Sequence, residues 1–268
     1  MRKFGYFILS LGFALTLSTS ATALDWDAAL AGDHRSEQNK ARDGFRHPQE
    51  TLEFFGLKGD MTVVELSPGG GWYTEVIAPL LKADGTYFAA HHSPNGSSYA
   101  RRSLGGFLQK LGEEADVYGG VTVTTLAAPE STVIAPAGSA DMVLAFRNVH
   151  SWMRGDALAE VFVAAFTALK PGGVFGIVQH RARDGRDQDA MKASGYVSED
   201  FVIAAAKSVG FKLDARSEIN ANPKDTGEWE KGVWELPPVL RGDEADREAR
   251  IAVGESDRMT LRFVKPSS

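Results

Sequence analysis

Residues 63–73 read Val63-Val64-Glu65-Leu66-Ser67-Pro68-Gly69-Gly70-Gly71-Trp72-Tyr73. The apolar residues 63–66 predict a buried strand, and the glycines that follow predict a tight loop. Because glycine has no Cβ, the backbone of such a loop approaches a ligand closely. A helix expected after the loop would direct its free N–H groups at that ligand. The stretch therefore predicts a nucleotide-type pocket at a strand end of an α/β sheet.

The spacing of the glycines separates the possible ligands. A dinucleotide fingerprint requires G-x-G-x-x-G, and counting from Gly69 and Gly71 the third position is Thr74. The spacing therefore argues against an NAD-dependent oxidoreductase, which becomes the third of three functional hypotheses.

The loop instead resembles motif I of class I S-adenosylmethionine-dependent methyltransferases. Glu65-x-Ser67-x-Gly69-x-Gly71 has the acidic residue and the alternate glycines of that motif, with Ser67 at the first glycine position. The resemblance implies that Glu65 lies near the amino end of the cofactor's methionine portion. It also implies that the backbone from Ser67 through Gly69, Gly70 and Gly71 packs against S-adenosyl-L-methionine.

A second feature of the same family lies near residue 170. Leu169-Lys170-Pro171-Gly172-Gly173 leads into an apolar strand, a turn that is a hallmark of these methyltransferases. The whole pattern from Arg35 to Pro266 resembles a group of bacterial members that carry signal peptides.

The amino terminus has the layout of a signal peptide. Arg2 and Lys3 precede an apolar run over residues 4–17, and Ala21-x-Ala23 fits a cleavage site after Ala23. We expect residues 1–23 to be removed, and a periplasmic or secreted protein without stable membrane insertion after cleavage. The chain has no cysteine, which excludes a lipoprotein anchor, disulfides and thiol chemistry.

The remainder, residues 24–268, is of a size that suits a single domain. The formal net charge of −6 becomes more negative once Arg2 and Lys3 are removed, so no basic face for nucleic acid is expected. The histidines show no helix-spaced pair, and we expect no metal.

Alternating strand and helix patterns predict a mostly parallel sheet with helices on both faces. Strands are predicted at residues 62–66, 87–90, 121–124, 142–146 and 174–178, from 211 through 219, and at 259–264. Helices are predicted at residues 72–82, 99–111, 156–170 and 198–209. The resemblance implies the Rossmann-like, seven-stranded methyltransferase order 3-2-1-4-5-7-6. An insertion at residues 220–257 separates the last two strands and is either a lid or a solvated excursion.

Ligands in such a sheet bind beyond the carboxyl ends of the strands. After the fourth strand, Arg147 and Asn148 are candidates to bond the cofactor or the substrate. His150 is the catalytic candidate, as a base or as a group that orients the acceptor; the alternative is a histidine that caps the next helix. His91 stands where the family has a ribose-binding acid, and a neutral imidazole bonds a single hydroxyl.

Two further groups are weaker candidates. Gln179-His180-Arg181 follows the fifth strand and forms a second candidate site. The charged residues Arg35, Arg42 and Arg46 belong to a segment that often covers the cofactor in the family, but a charge-rich helical run predicts a solvated face.

The leading hypothesis is an exported S-adenosylmethionine-dependent methyltransferase that acts on a small molecule or an exposed chemical group. The first alternative is a methyltransferase-like binding protein without transfer activity, which would explain the missing ribose acid. The sequence leaves open the acceptor, the oligomeric state and the source of the cofactor outside the cytoplasm.

Overall fold

The computed structural model of this 268-residue chain describes residue 1, residues 24–183 and residues 185–267. Apart from Met1, the predicted signal peptide lies outside the described residues. Within the described ranges, no helix combines the length and the apolar character needed to cross a membrane.

One seven-stranded sheet organises the chain. Its strands are β1 Thr62–Leu66, β2 Thr86–His91, β3 Val121–Thr125, β4 Ala140–Phe146, β5 Leu169–His180, β6 Lys212–Ser217 and β7 Arg258–Val264. They lie in the order β3-β2-β1-β4-β5-β7-β6, and β7 runs antiparallel to both of its neighbours while the other pairs are parallel. The predicted fold class and strand order are confirmed.

Helices cover both faces of the sheet. They are α1 Trp26–Ala31, α2 Glu37–Lys40, α3 Asp43–Arg46, α4 Pro48–Phe55, α5 Thr74–Leu81, α6 Ser98–Glu113, α7 Ala115–Tyr118, α8 Val149–Arg154, α9 Leu158–Ala168, α10 Gln188–Ser194, α11 Glu199–Val209 and α12 Arg247–Val253. Short 3₁₀ turns cover Gly232–Glu235 and Glu244–Asp246.

The core has two layers, one on each face of the sheet. Phe162 of α9 and Val202 of α11 are buried in one layer, and Phe55 of α4 and Ile77 of α5 are buried in the other. Complete burial of such a side chain stabilises the fold by roughly 1.5–3 kcal/mol. The packing fixes the strand ends, and with them the loops that follow each strand.

The Leu-Lys-Pro-Gly-Gly turn differs from its predicted form. Helix α9 ends at Ala168, and β5 already begins at Leu169, which pairs with Ala140 across an irregular register. Pro171 disfavours the helical conformation for the residue before it, so the chain is extended earlier than the predicted helix end at residue 170.

The connection between β6 and β7 packs against the body of the protein. Asp225 is buried and accepts hydrogen bonds from the Tyr196 hydroxyl, from Trp229 Nε1 at 2.8 Å and from the Asp257 backbone N–H at 2.8 Å. These bonds tie the start of the insertion to the segment after α10 and to the residue before β7. The start of the insertion is therefore anchored to the body of the protein, and later residues of the insertion supply one wall of the cavity described next.

Candidate functional site

Two adjoining cavities open at the carboxyl ends of the parallel strands. The larger has a volume of about 460 Å³ and reaches from the glycine loop to the insertion. The smaller, of about 290 Å³, reaches from the same loop to the residues after β3. Ser67, Gly69, Tyr99, Asn148 and Ser151 line both cavities, so the two form one two-lobed site.

The glycine loop faces open space. A Cβ added at Gly69 or at Gly70 would meet no atom within 4 Å. Ser67, at the first glycine position of the motif, adopts a left-handed backbone with φ 50°. The Asn148 side chain donates to the carbonyls of Leu66 at 3.0 Å and Ser67 at 3.1 Å, which joins the ends of β1 and β4. Asn148 thus holds the glycine loop in place, and its predicted bond to the cofactor or the substrate stays a prediction.

Glu65 lies beneath the loop and does not line either cavity. Its side chain is 2% exposed and accepts hydrogen bonds from Thr74 Oγ1 at 2.8 Å and from the Tyr87 hydroxyl. Burial raises the pKa of Glu65 to about 7, although both hydrogen bonds oppose the rise. The structure shows Glu65 joining β1, β2 and α5, and its contact with a cofactor stays a prediction.

His91 is buried and also supports the loop. Its Nδ1 accepts from the His92 backbone N–H at 2.7 Å, so Nε2 carries the proton and donates to the Gly69 carbonyl at 3.0 Å. Burial lowers the pKa of His91, which keeps the ring neutral. Both ring nitrogens are engaged within the protein, and the ribose contact predicted for His91 stays a prediction. The neighbouring His92 lines the smaller cavity.

His150 lies on α8 and lines the larger cavity, where Gln179 sets its tautomer. Gln179 Oε1 accepts from the Val149 N–H at 3.2 Å, and Nε2 donates to the Gly195 carbonyl at 2.9 Å. These two backbone groups fix the orientation of the amide, so its second N–H faces His150 Nδ1 at 3.2 Å. His150 Nδ1 is therefore the acceptor, and its Nε2 carries the proton.

Burial lowers the pKa of His150 to about 4. The ring is neutral at neutral pH, with a donor at Nε2 and an occupied lone pair at Nδ1. Of the two roles predicted for His150, this arrangement favours orientation of an acceptor over proton abstraction. His180, from the second candidate site, lies beside it with 5.6 Å between ring centroids, and its Nδ1 is 2.5 Å from Ser256 Oγ.

A buried arginine cluster surrounds Glu255 on another wall. Arg42 Nε lies 2.7 Å from Glu255 Oε1, and Arg46 Nε lies 2.9 Å from Oε2. Arg258 Nη2 and Arg147 Nη1 approach Oε2 at 3.3 Å and 3.6 Å. One carboxylate thus serves four guanidinium groups.

The predicted solvated face at residues 35–46 is wrong. Arg35 and Arg46 are 2% and 1% exposed, and both guanidinium groups lie over the Trp72 ring, at 5.2 Å and 4.5 Å from its centroid. Asp43 binds Arg35 through two hydrogen bonds. The charge-rich composition predicted that these side chains face solvent. That prediction failed because the partner of Arg46, Glu255, lies more than two hundred residues away in the sequence.

Sequence reasoning missed several parts of the site. Glu255, Tyr99 and Arg154 line the larger cavity but had not been assigned a role. Trp234 belongs to the insertion, yet it lines the cavity and its ring centroid lies 5.8 Å from that of His150. The one sequence signal near Glu255 is the stretch Ser256-Asp257-Arg258-Met259, which belongs to the overall pattern that resembles the bacterial group with signal peptides. Among the described residues, no group of three or more His, Cys, Asp or Glu side chains is placed to hold a metal ion.

The strand order, the glycine loop after β1 and the cavity at the strand ends together define the class I methyltransferase fold. The chain is similar to a SAM-dependent methyltransferase from Aquifex aeolicus, with 18% identity, a TM-score of 0.52, and coverage of 67% of this chain and 87% of the other. It is similar to a geranyl diphosphate methyltransferase in complex with SAM, with 14% identity, a TM-score of 0.55, and coverage of 91% and 96%.

A third similar structure is the [4+2]-cyclase SpnF, with 14% identity, a TM-score of 0.60, and coverage of 88% of this chain and 86% of the other. No protein-family model and no curated protein matches the chain. At these identities the similarity establishes the fold, and a cyclase among the neighbours shows that the fold alone does not fix the reaction.

Proposed function

We propose that the protein is an S-adenosylmethionine-dependent methyltransferase that acts on a small molecule or on an exposed chemical group. The observation that carries the proposal is the open backbone of Gly69 and Gly70 at the end of β1, facing a cavity in a sheet of methyltransferase order. The structural neighbours that are SAM-dependent methyltransferases support the same conclusion.

The residues present fit the two ends of the cofactor. Leu126, Ala127, Ala128 and Trp152 give the smaller cavity apolar walls suited to an adenine ring. The larger cavity offers polar and charged groups suited to an amino-acid portion. The residues lining the smaller cavity, all of them described, include no carboxylate for a ribose, and His92 is the imidazole placed there.

S-adenosylmethionine supplies an electrophilic methyl group on a sulfonium, and the protein's task is mainly to align the acceptor with it. Alignment alone contributes on the order of 7–11 kcal/mol. Because Gln179 fixes His150 as a donor, we infer that His150 orients the acceptor through Nε2–H. An acceptor with an available lone pair needs no base.

We further propose that the protein is exported to the periplasm or secreted, on the basis of the signal-peptide pattern at residues 1–23. Intact-mass measurement of the protein purified from its own cells tests this: the chain is expected to begin at Leu24. A mass that includes Met1 and the apolar run would contradict cleavage.

A binding protein without transfer activity remains the second candidate. The observation in its favour is that His91 is turned into the glycine loop while no acid lines the smaller cavity. Mass spectrometry of ligands released from purified protein separates the two: a different metabolite, with no binding of methyl donor, would favour the binding protein.

Thermal-shift and calorimetric titration with S-adenosylmethionine and S-adenosylhomocysteine test the proposed function. A ligand at a hundred times its dissociation constant stabilises the folded state by about 2.7 kcal/mol. Gly70→Leu is the informative variant, because Gly70 lines the larger cavity and a Cβ added there would meet no atom within 4 Å, so we expect the leucine side chain to reduce the space for a ligand.

Gly112→Leu is the matched control, on α6 and also without a neighbour within 4 Å. We expect the wild type and Gly112→Leu to be stabilised by both ligands, and Gly70→Leu to melt normally without stabilisation. Absence of any effect of either ligand on the wild type would refute the proposal.

A further inference from the structure

The walls of the larger cavity carry an imbalance of charge. Four arginines line it, at positions 42, 46, 147 and 154, whereas Glu255 is the one carboxylate among its lining residues, all of which are described. Burial lowers the pKa values of His150 and His180, so neither ring adds charge at neutral pH. The cavity therefore has three more positive than negative groups.

Arg147 is the member of this set whose side chain makes no hydrogen bond to the described residues, although Arg46 Nη1 is also buried without a partner among them. Arg42 and Arg46 each donate through Nε to Glu255, and Arg154 donates to Ser151 Oγ at 3.3 Å and stands over Trp234. Within the described part of the chain, the Arg147 side chain makes no hydrogen bond. Its closest carboxylate oxygen is Glu255 Oε2 at 3.6 Å.

The backbone holds Arg147 in an unusual conformation. Its φ is 63°, which costs a non-glycine residue roughly 1–2 kcal/mol. The Arg147 N–H donates to the Val178 carbonyl at 2.7 Å, which fixes the residue between the ends of β4 and β5. The Arg147 side chain is 23% exposed, and partial burial lowers its pKa to about 10. A partly desolvated guanidinium with free N–H groups, on a backbone held in place, is suited to bind an anion.

The methyl donor does not balance this charge. Its sulfonium and ammonium groups are positive and its single carboxylate is negative, so the donor adds a net charge of +1 and the surplus rises from three to four. This positive charge disfavours a cationic acceptor, because like charges in a cavity of low dielectric repel strongly, and it favours an anionic acceptor.

We propose that the acceptor carries an anionic oxygen group, of the carboxylate or phosphate type, and that Arg147 binds this group. The inference rests on the proposed methyltransferase function and names the substrate class of the same site. His150 and Trp234 line the same cavity with 5.8 Å between their ring centroids, so an acceptor with a flat apolar body next to its anionic group fits these walls.

Shape-matched probes test the inference. Benzoate, its neutral analogue benzamide, and phenyl phosphate are titrated by calorimetry into the protein saturated with S-adenosylhomocysteine, at low and constant salt. The same titrations are made with Arg147→Met and with Arg147→Lys. Arg216→Met is the matched control, because this arginine is exposed on β6 and pairs with Glu199.

In the wild type and in Arg216→Met, we expect benzoate to bind at least about tenfold more tightly than benzamide, the range for hydrogen bonds to a charged group. In Arg147→Met the two probes should bind within about twofold of each other, while the affinity for S-adenosylhomocysteine is retained. The preference of Arg147→Lys for benzoate over benzamide should lie between those of the wild type and Arg147→Met, because lysine keeps the charge and loses the planar pair of donors. If Arg147→Met fails to fold, a weaker preference for benzoate in Arg147→Lys than in the wild type supports the inference, and an equal preference overturns it.

Equal affinity of the wild type for benzoate and benzamide would overturn the inference. A preference for benzoate that survives in Arg147→Met would also overturn it, and neither result would contradict the cofactor site. A tenfold or larger loss of S-adenosylhomocysteine affinity in Arg147→Met would also overturn it, because the arginine would then serve the cofactor's carboxylate. If S-adenosylhomocysteine does not bind the wild type, the proposed function fails, and the three probes are compared on the protein alone. A preference for acid that depends on Arg147 would then still support an anion site.

Discussion

Replacing Glu65 by glutamine should make the protein more stable at alkaline pH. Glu65 is almost fully buried, and burial raises its pKa from 4.5 to about 7. The folded state therefore binds the proton more tightly than the unfolded state. The stabilisation by the protonated group is complete below pH 4.5 and is lost as the pH rises through 7. A shift of this size corresponds to about 3 kcal/mol above the folded-state pKa.

Glutamine is neutral at every pH and keeps an oxygen that accepts from Thr74 and Tyr87. Urea unfolding of the wild type and Glu65→Gln between about pH 5 and 8.5 gives the free energy of unfolding at each pH. We expect the variant to gain about 2.5 kcal/mol relative to the wild type between the two ends of this range, because part of the loss in the wild type already occurs below pH 5. The histidines with lowered pKa values have the opposite dependence on pH, but they are common to both proteins and cancel in the difference.

Glu53→Gln is the control, because this carboxylate lies on α4 away from the buried network and its substitution should leave the pH profile unchanged. A difference between Glu65→Gln and wild type that is constant over the whole pH range would refute the reasoning, since Glu65 would then be ionised in both states throughout.

Three further substitutions follow from the local geometry. Ser67→Gly should keep the fold and change the free energy of unfolding by less than about 1 kcal/mol. Glycine relieves the strain of the left-handed backbone, but this gain is offset by the greater conformational freedom of glycine in the unfolded state. A larger loss of stability in urea unfolding would contradict this. Glu255→Gln should destabilise the protein by about 3–5 kcal/mol, because it leaves buried arginines without a counter-charge. Glu218→Gln, at an exposed ion pair, should cost at most about 1 kcal/mol. Similar melting temperatures of the two variants would refute the role of the buried cluster. Gly232→Ala should lower the melting temperature, because its Cβ would lie 2.1 Å from the Ser194 carbonyl oxygen and the residue has φ 64°. Gly105→Ala on α6 has open space around it and should raise stability by up to about 1 kcal/mol. A higher melting temperature for Gly232→Ala than for Gly105→Ala would be inconsistent with the packing of the insertion.

Local patterns in the sequence were sufficient to place the strands and helices along the chain, whereas the strand order was implied by the family resemblance. The strand β1 begins and ends where the apolar run predicted, and the helix predicted at residues 156–170 corresponds to α9. Both depend on side-chain periodicity and on nearby proline or glycine, which act over a few residues. The predicted end of α9 lies beyond the observed one, because Pro171 restricts the residue before it and the strand starts early.

The site was predictable where a motif lies next to a strand. Gly69, Gly70, Arg147, Asn148 and His150 were all assigned from their positions after β1 and β4, and all line the larger cavity. Glu65 and His91 satisfied the same positional rule but lie beneath the loop, because their polar atoms find partners in the protein interior. A linear pattern does not specify which face of a strand end points into the cavity.

By itself, the sequence determined the α/β class, the order in which strands and helices follow one another, and the glycine loop that resembles motif I. Tertiary structure alone decided that Arg46 is buried against Glu255 and that Gln179 makes His150 a hydrogen-bond donor. It also decided that the side-chain N–H groups of Arg147 make no hydrogen bond within the described part of the protein. The physical reason is the distance along the chain over which each interaction acts. Periodicity and turn chemistry act between neighbours in the chain, whereas charge pairing, tautomer and desolvation depend on groups that meet only when distant segments pack together.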